Sequence, residues 1–242
     1  MRFIMYKTSP AHSSKDNLVR EYLKLLSTFC SLMKDTEIKA VPYREEAPLN
    51  FLNLDRKQQE KTIKDFRRYT KNCLAVINNG YSIVDDKQML WSMMKELSVR
   101  PPSTLLQKLE DNIVIEIYDT AAWTQVFRNY RFYSLCSYTL DELLCKPWWE
   151  LYLRNEEVTE KIFETAKKTC QLKKPEILYY NVGPHSQSEI SGPIHVVIEN
   201  KFTAPLFNKH GYVEYMLNAI KVHKVMHRSG ASRADCMFRH AH

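Results

Sequence analysis

The chain has 242 residues, of which 44% are hydrophobic and 26% are charged, with a formal net charge of +7. This is the composition of an ordinary globular protein, and only 5 glycines argue against a glycine-rich nucleotide-binding fold. No run approaches the roughly 18 apolar residues of a membrane helix, and no apolar core with a cleavage site opens the chain. The sequence therefore predicts a cytoplasmic protein, whose six scattered cysteines are reduced thiols.

Helical periodicity dominates the first part of the chain. Apolar residues recur there at three- and four-residue spacing, after capping candidates such as Asp16. Asn79-Gly80 and Pro101-Pro102 are typical helix ends. Helices are predicted over residues 18–33, 54–78, 85–97 and 104–110. We therefore expect residues 1–110 to form a helical N-terminal region.

The hydrophobic period falls towards two after residue 110. Strands are predicted over residues 113–118, 176–182, 194–202 and 212–222, and a longer helix over 157–170. No second strand is evident between Ala121 and Val126. Short turns join the last three strands, which favours an antiparallel sheet packed on helices. The predicted fold class is α+β, a helical N-terminal region followed by an antiparallel sheet with short arching helices.

Two short helices are predicted between the first strand and the longer helix. Thr139 can cap the second one, with Asp141 and Glu142 at the positive end of its dipole, and Pro147 ends it. Each helix has one apolar face, made by Phe132, Leu135 and Cys136 in the first and by Leu140, Leu143 and Leu144 in the second.

This segment resembles the PAS family of sensory domains. The resemblance is carried by Asn129, Phe132, Leu135, Ser137-Tyr138-Thr139, Asp141-Glu142-Leu143-Leu144 and Pro147-Trp148-Trp149. It covers residues 111–224 and leaves residues 225–242 as a disordered tail. Ser137 stands where the family commonly has glycine, and Asn208-Lys209-His210-Gly211 resembles the start of its last strand. The resemblance implies a domain that binds a small ligand or a partner.

No cofactor is identified by these motifs. Asn129-Tyr130-Arg131-Phe132 is similar to a string in flavin-binding photosensors of the family, but it precedes the Ser137-Tyr138 turn instead of following it. A haem group would need an axial ligand such as histidine, and none lies between Ile115 and Lys174. Flavin and haem are therefore disfavoured.

A ligand cavity would be walled by one face of the sheet and by the arching helices. Alternation on the strands defines candidate faces, but one sequence does not fix which face points inward. The ligand-binding candidates are Phe132, Trp148, Trp149, Tyr179, His195, Val197, Tyr215 and Leu217. The alternative for each aromatic side chain in this set is that it simply fills the core.

A basic stripe runs along the predicted helix over residues 54–78. At 100° per residue, one side of this helix carries Lys57, Lys61, Lys64, Arg68 and Lys71. Such a stripe can contact nucleic acid or an anionic membrane, or it can be the solvated side of a packed helix.

No catalytic motif was found, so the chain is not expected to be an enzyme. Asp141 and Glu142 are better explained as charges at a helix start than as an acid/base pair. A zinc site was considered for His223, His227, Cys236, His240 and His242 but was not favoured, because the tail is polar. We therefore expect neither catalytic nor metal-binding residues.

The predicted function is that of a cytoplasmic sensory or regulatory protein. Its PAS-like domain would bind a small molecule or a protein, and the helix over residues 104–110 would mediate homodimerisation. The alternatives are an interaction module that senses nothing, or a regulator that binds nucleic acid through the basic stripe. Nucleic-acid binding that weakens as the salt concentration rises would distinguish the last alternative from the other two.

Overall fold

The computed structural model describes residues 10–34, 36 and 48–227. Helices precede a sheet, and further helices interrupt the strands. The helices are α1 Pro10–Met33, α2 Leu49–Asn53, α3 Arg56–Asn78, α4 Asp86–Glu96, α5 Leu105–Lys108, the 3-10 helix Tyr130–Leu135, α6 Leu140–Cys145, α7 Trp148–Leu151 and α8 Glu156–Cys170. The strands are β1 Ile113–Asp119, β2 Gln125–Arg128, β3 Tyr152–Arg154, β4 Leu178–Tyr179, β5 His185–Glu189, β6 Ile194–Phe207 and β7 Val213–His227.

Local sequence explains where α3 begins and ends and where α6 begins. Asp55 caps α3 in a reciprocal capping box with Gln58, and Gly80 follows the helix with a φ of 80° that favours glycine. Thr139 and Glu142 form a second capping box at the start of α6. The predicted cap of this short helix is therefore confirmed.

The sheet is antiparallel throughout, in the order β2-β1-β7-β6-β5-β3, with β4 also paired to β6. A register shift between Asn200 and Phe202 interrupts the pairing of β6 with β7. Such a bulge moves later side chains to the other side of the sheet. Val196, Ile198 and Asn200 therefore share one side, whereas Ala204 and later even-numbered residues lie on the other.

One side of the sheet packs against the N-terminal helices. A single hydrophobic core joins side chains of α1, α3 and α4 to strand residues such as Ile115, Phe127 and Leu217. Phe29 of α1 contacts Tyr130 and Tyr133 of the 3-10 helix, with ring centroids 5.9 and 5.7 Å apart. The N-terminal helices and the sheet thus share one hydrophobic core, although the hydrophobic period of the sequence changes near residue 110.

The α+β fold class and the antiparallel sheet are confirmed. The expectation of no strand near Val126 was wrong, because β2 pairs with β1. The pattern also missed β3, which has only three residues, and β5, whose sequence His-Ser-Gln-Ser-Glu has no apolar alternation. Of the strand predicted over residues 176–182, only β4 forms.

The end of the chain differs from its predicted boundary. β7 continues to His227, and the rest of the predicted tail lies outside the described residues. No helix in the described parts of the chain combines the length and the apolar character needed to cross a membrane.

Candidate functional site

A cavity of about 390 Å³ lies on the side of the sheet that faces away from α1. Its floor is formed by alternate residues of β1, β6 and β7, including Val114, Val196, Ile198, Met216 and Ile220. The 3-10 helix, the segment from α6 to α7, α8 and residues of α3 such as Gln58, Lys61 and Asp65 enclose it. Volumes of about 300–1,000 Å³ are typical of small-molecule sites.

The cavity wall is mostly apolar. Opposite the sheet, the cavity is lined by Leu143 of α6, by Ile162 and Ala166 of α8, and by aromatic side chains. Trp148 packs against Phe163 with ring centroids 5.3 Å apart, and Trp149 contacts Trp148 at 5.9 Å. An apolar enclosure of this kind favours a ligand with a hydrophobic body.

A buried carboxylate stands in the sheet floor. Glu116 accepts hydrogen bonds from the hydroxyl of Tyr118 at 3.1 Å, from Gln125 at 2.8 Å and from Asn218 at 3.2 Å. Burial raises the pKa of Tyr118 well above its usual range, and the charge of Glu116 adds to this rise, so Tyr118 stays a neutral donor. Both oxygens of Glu116 are thus already held by the protein.

Arg128 places a guanidinium on the cavity wall. It ends β2, opposite Glu116 in the register, and is only 3% exposed. Its Nη2 donates to the carbonyl oxygen of Leu143 at 2.8 Å, and its Cζ lies 4.9 Å from the centroid of the Phe132 ring. Its Nη1 is buried without a hydrogen-bond partner.

Arg154 supplies a second guanidinium, from the edge strand β3. Its Nη2 donates to Gln187 on β5, and its Cζ lies 5.2 Å from the centroid of the Trp148 ring. Its Nε is buried without a partner. Burial lowers the pKa of Arg154, and the nearby Tyr118 and Glu116 oppose this effect. An arginine guanidinium does not lose its proton in proteins at neutral pH, so Arg154 is a cation.

Two amides complete the polar part of the wall. Asn200 and Asn218 are 2% and 7% exposed, and the Oδ1 of each is buried without a hydrogen-bond partner. Buried polar groups are normally paired, so unpaired ones on a cavity wall point to a ligand.

The enclosing helix α6 is fastened to the N-terminal helices through Asp141. This buried carboxylate accepts hydrogen bonds from the hydroxyl of Tyr22 in α1 at 3.0 Å and from the backbone and side-chain nitrogens of Asn50 in α2 at 2.8 and 2.9 Å. The Phe51 ring stacks on Tyr22 with centroids 4.0 Å apart. A shift of α6 would therefore change its hydrogen bonds to α1 and α2.

The structure brings only part of the predicted ligand set to the cavity. Phe132, Trp148 and Trp149 line it. Tyr179 is 59% exposed on β4. His195 and Val197 lie on the side of β6 opposite to Val196, and Tyr215 and Leu217 lie on the side of β7 that contacts the N-terminal helices. These last five residues do not line the cavity, because the strands present their alternate positions to it.

Sequence reasoning missed the polar residues of the wall. Asn200 and Asn218 interrupt the otherwise apolar cavity positions of two long strands, and a polar residue at a buried strand position is a detectable signal. Arg128 and Arg154 were hidden in strands too short to recognise.

The predicted basic stripe of α3 is partly paired with acidic residues. Lys61 lies 2.6 Å from Asp65 and 3.1 Å from Asp119, and Lys71 lies 2.8 Å from Glu96. Burial lowers the pKa of Lys61, but its hydrogen bond and charge interactions with Asp65 and Asp119 outweigh this and raise it. Arg68 donates to Tyr215 at 3.3 Å, while Lys57 and Lys64 are exposed. The stripe thus carries mixed charge along much of its length.

Two cysteines of the described residues, Cys73 and Cys145, are not set up as nucleophiles. Burial raises the pKa of Cys73 to about 12 and that of Cys145 well above its usual range, so both are protonated thiols at neutral pH. No group of three or more metal-ligating side chains occurs within residues 10–34, 36 and 48–227. Cys236, His240 and His242 lie outside this part of the chain.

No protein-family model matches this chain, and the search of curated proteins found no significant match.

Proposed function

We propose that this chain is a cytoplasmic regulatory protein of PAS-like type, whose cavity binds a small molecule and whose N-terminal helices respond to it. The observation that carries the proposal is the cavity itself, an apolar enclosure whose buried polar atoms are partly unpaired. The order of a strand, short helices, a longer helix and a final group of strands supports the resemblance on residues 111–224.

The proposed response runs from the cavity to the N-terminal helices. A ligand would contact Leu143 and Leu144, which lie on α6 within the cavity wall. On the same helix, Asp141 holds Tyr22 and Asn50. Occupancy that favours one position of α6 would shift the population of α1 and α2 arrangements, provided that the ligand binds the two states with different affinity.

Native mass spectrometry of the protein purified from its host tests this proposal. We expect a bound small molecule that is released on denaturation, and its recovery would identify the ligand class. An absorbance spectrum of the same sample would reveal a chromophore. The mass also reports whether the chain forms the proposed homodimer.

The cavity-filling variant Ala166→Leu provides the matched comparison. Ala166 lies on the cavity wall, so a larger side chain there should displace the molecule while the fold remains. If the wild type carries no small molecule and binds none of a broad metabolite set, the chain is better assigned to a protein-interaction module.

A further inference from the structure

Both guanidinium groups of the cavity are held in place with one N–H left over. Arg128 is held by Leu143 and Phe132, and Arg154 is held by Gln187 and Trp148. One buried nitrogen of each lacks a partner. An oriented guanidinium with an unused N–H is suited to a planar anion, because its fork geometry matches a carboxylate.

Neither guanidinium group of the cavity has an ion-pair partner among the described residues. Lys61 lies 2.6 Å from Asp65 and 3.1 Å from Asp119, and Lys146 lies 3.7 Å from Glu142, so both lysines of the wall are paired. The remaining charged side chains of the wall are Glu116, Arg128 and Arg154. Both oxygens of Glu116 already accept hydrogen bonds from Tyr118, Gln125 and Asn218, and charges in a cavity wall are ordinarily paired.

We infer that the cavity takes an amphipathic monoanion, a molecule with an apolar body and a single carboxylate that binds Arg128 and Arg154. This inference rests on the proposed function and adds the chemical class of the ligand. A carboxylate would give Arg128 and Arg154 the ion pair that they lack, whereas a neutral ligand would leave both guanidinium groups unpaired.

The ligand also carries a hydrogen-bond donor. Asn218 donates its amide nitrogen to Glu116 at 3.2 Å, which fixes the orientation of the amide and leaves Oδ1 as an acceptor. A hydroxyl or N–H on the apolar body would pair with it. A carboxylate alone would not satisfy this oxygen.

Matched pairs of acids and primary amides test the charge requirement. The probes are phenylbutyrate, octanoate and indolepropionate, each with its amide, titrated against the full chain by ligand-observed NMR. We expect each acid that binds to do so roughly 10- to 100-fold more tightly than its amide, the range of one or two charge-assisted hydrogen bonds. Indolepropionate, which has an N–H donor, should exceed naphthylpropionate, which has none.

Variants of Arg154 locate the anion. Arg154→Gln should lower the affinity for the acid roughly tenfold or more and leave the amide nearly unchanged, and Arg154→Lys should restore part of the difference. Lys209→Gln removes the same charge from an exposed turn and should change neither affinity. Should Arg154→Gln fail to fold, the acid-to-amide ratio of the unmodified protein decides by itself.

The outcomes separate the ligand class from the proposed function. Acid selectivity that is lost in Arg154→Gln supports both. Equal binding of acids and amides overturns the monoanion while the cavity remains a ligand site. If no acid and no amide binds, and no small molecule accompanies the purified protein, both the inference and the proposed function are wrong.

Discussion

Tyr22 and Asp141 are 119 residues apart in the chain, and the Tyr22 hydroxyl donates a hydrogen bond of 3.0 Å to the Asp141 carboxylate. Burial raises the pKa of Tyr22 well above its usual range, and its interactions with Cys145 and Asp141 raise it further. The phenol therefore stays protonated as a donor. This bond joins the first described helix to the helix that encloses the cavity.

Loss of this bond should weaken the fold. Tyr22→Phe removes the donor but leaves the carboxylate its bonds to Asn50, so we expect a loss of about 1 kcal/mol of unfolding free energy. Asp141→Ala leaves several buried donors unpaired and should cost about 3 kcal/mol or more. Urea denaturation measures both. Tyr212→Phe, at an exposed position, should change stability by less than about 0.5 kcal/mol.

The two sides of the sheet should respond differently to the same substitution. Ala204→Leu adds volume to the packed core shared with the N-terminal helices and should destabilise by about 1–3 kcal/mol. Ala166→Leu extends into the cavity and should cost much less. Thermal unfolding of the two variants compares them directly, and an equal loss at both positions would contradict an open cavity next to Ala166.

Gly192 lies against a buried acidic group. A Cβ at this position would overlap the Glu189 carboxylate, coming within 2.7 Å of its Cδ, and would also overlap the Ser137 hydroxyl. We expect Gly192→Ala to destabilise by about 1–3 kcal/mol. Gly183→Ala is the comparison, because nothing lies within 4 Å of its added Cβ. Chemical denaturation of the two variants should show a loss for the first alone.

Glu189 should make the stability depend on pH. Its side chain is 0% exposed and accepts hydrogen bonds from Ser137 and Ile194. Burial raises its pKa, although these hydrogen bonds oppose the rise. The protonated carboxyl therefore favours the folded state, and this contribution is complete below the unfolded value of about 4.3 and is lost as pH rises through the folded pKa.

The variant Glu189→Gln should remove this dependence of stability on pH. We expect its destabilisation relative to the wild type to be largest in acid and to shrink as pH rises through the folded pKa of Glu189. Urea titrations across the acidic range measure this, with the exposed Glu176→Gln as a reference that keeps the wild-type profile. A constant difference at every pH would show that Glu189 does not titrate with a raised pKa.

The Asn129 side chain makes hydrogen bonds to β1 that a neighbouring strand would otherwise make. Its Oδ1 accepts from the Ile115 amide at 3.1 Å, and its Nδ2 donates to the Ile113 carbonyl at 2.8 Å, so it extends the pairing of β1 beyond β2. Asn129→Ala leaves two buried backbone groups unpaired and should cost about 2–4 kcal/mol in urea denaturation. The exposed Asn53→Ala should cost far less, and similar losses at both sites would contradict this role.

Local sequence patterns identify the longer helices and strands. Helical periodicity and capping residues placed α3, α4 and α8 within a few residues of their bounds, and Thr139 marked the start of α6. Apolar alternation found β1, β6 and β7, from which the α+β class follows. These signals are local because a helix turn or a strand face is set by neighbours in the chain.

Which strand faces form the cavity depends on how distant strands pair. The bulge between Asn200 and Phe202 moves later residues of β6 to the other side of the sheet, and no local sequence pattern predicts this bulge. The short strands that carry Arg128 and Arg154 form only because long neighbouring strands pair with them. The polar residues of the candidate site come together through contacts between distant parts of the chain, which sequence periodicity does not encode.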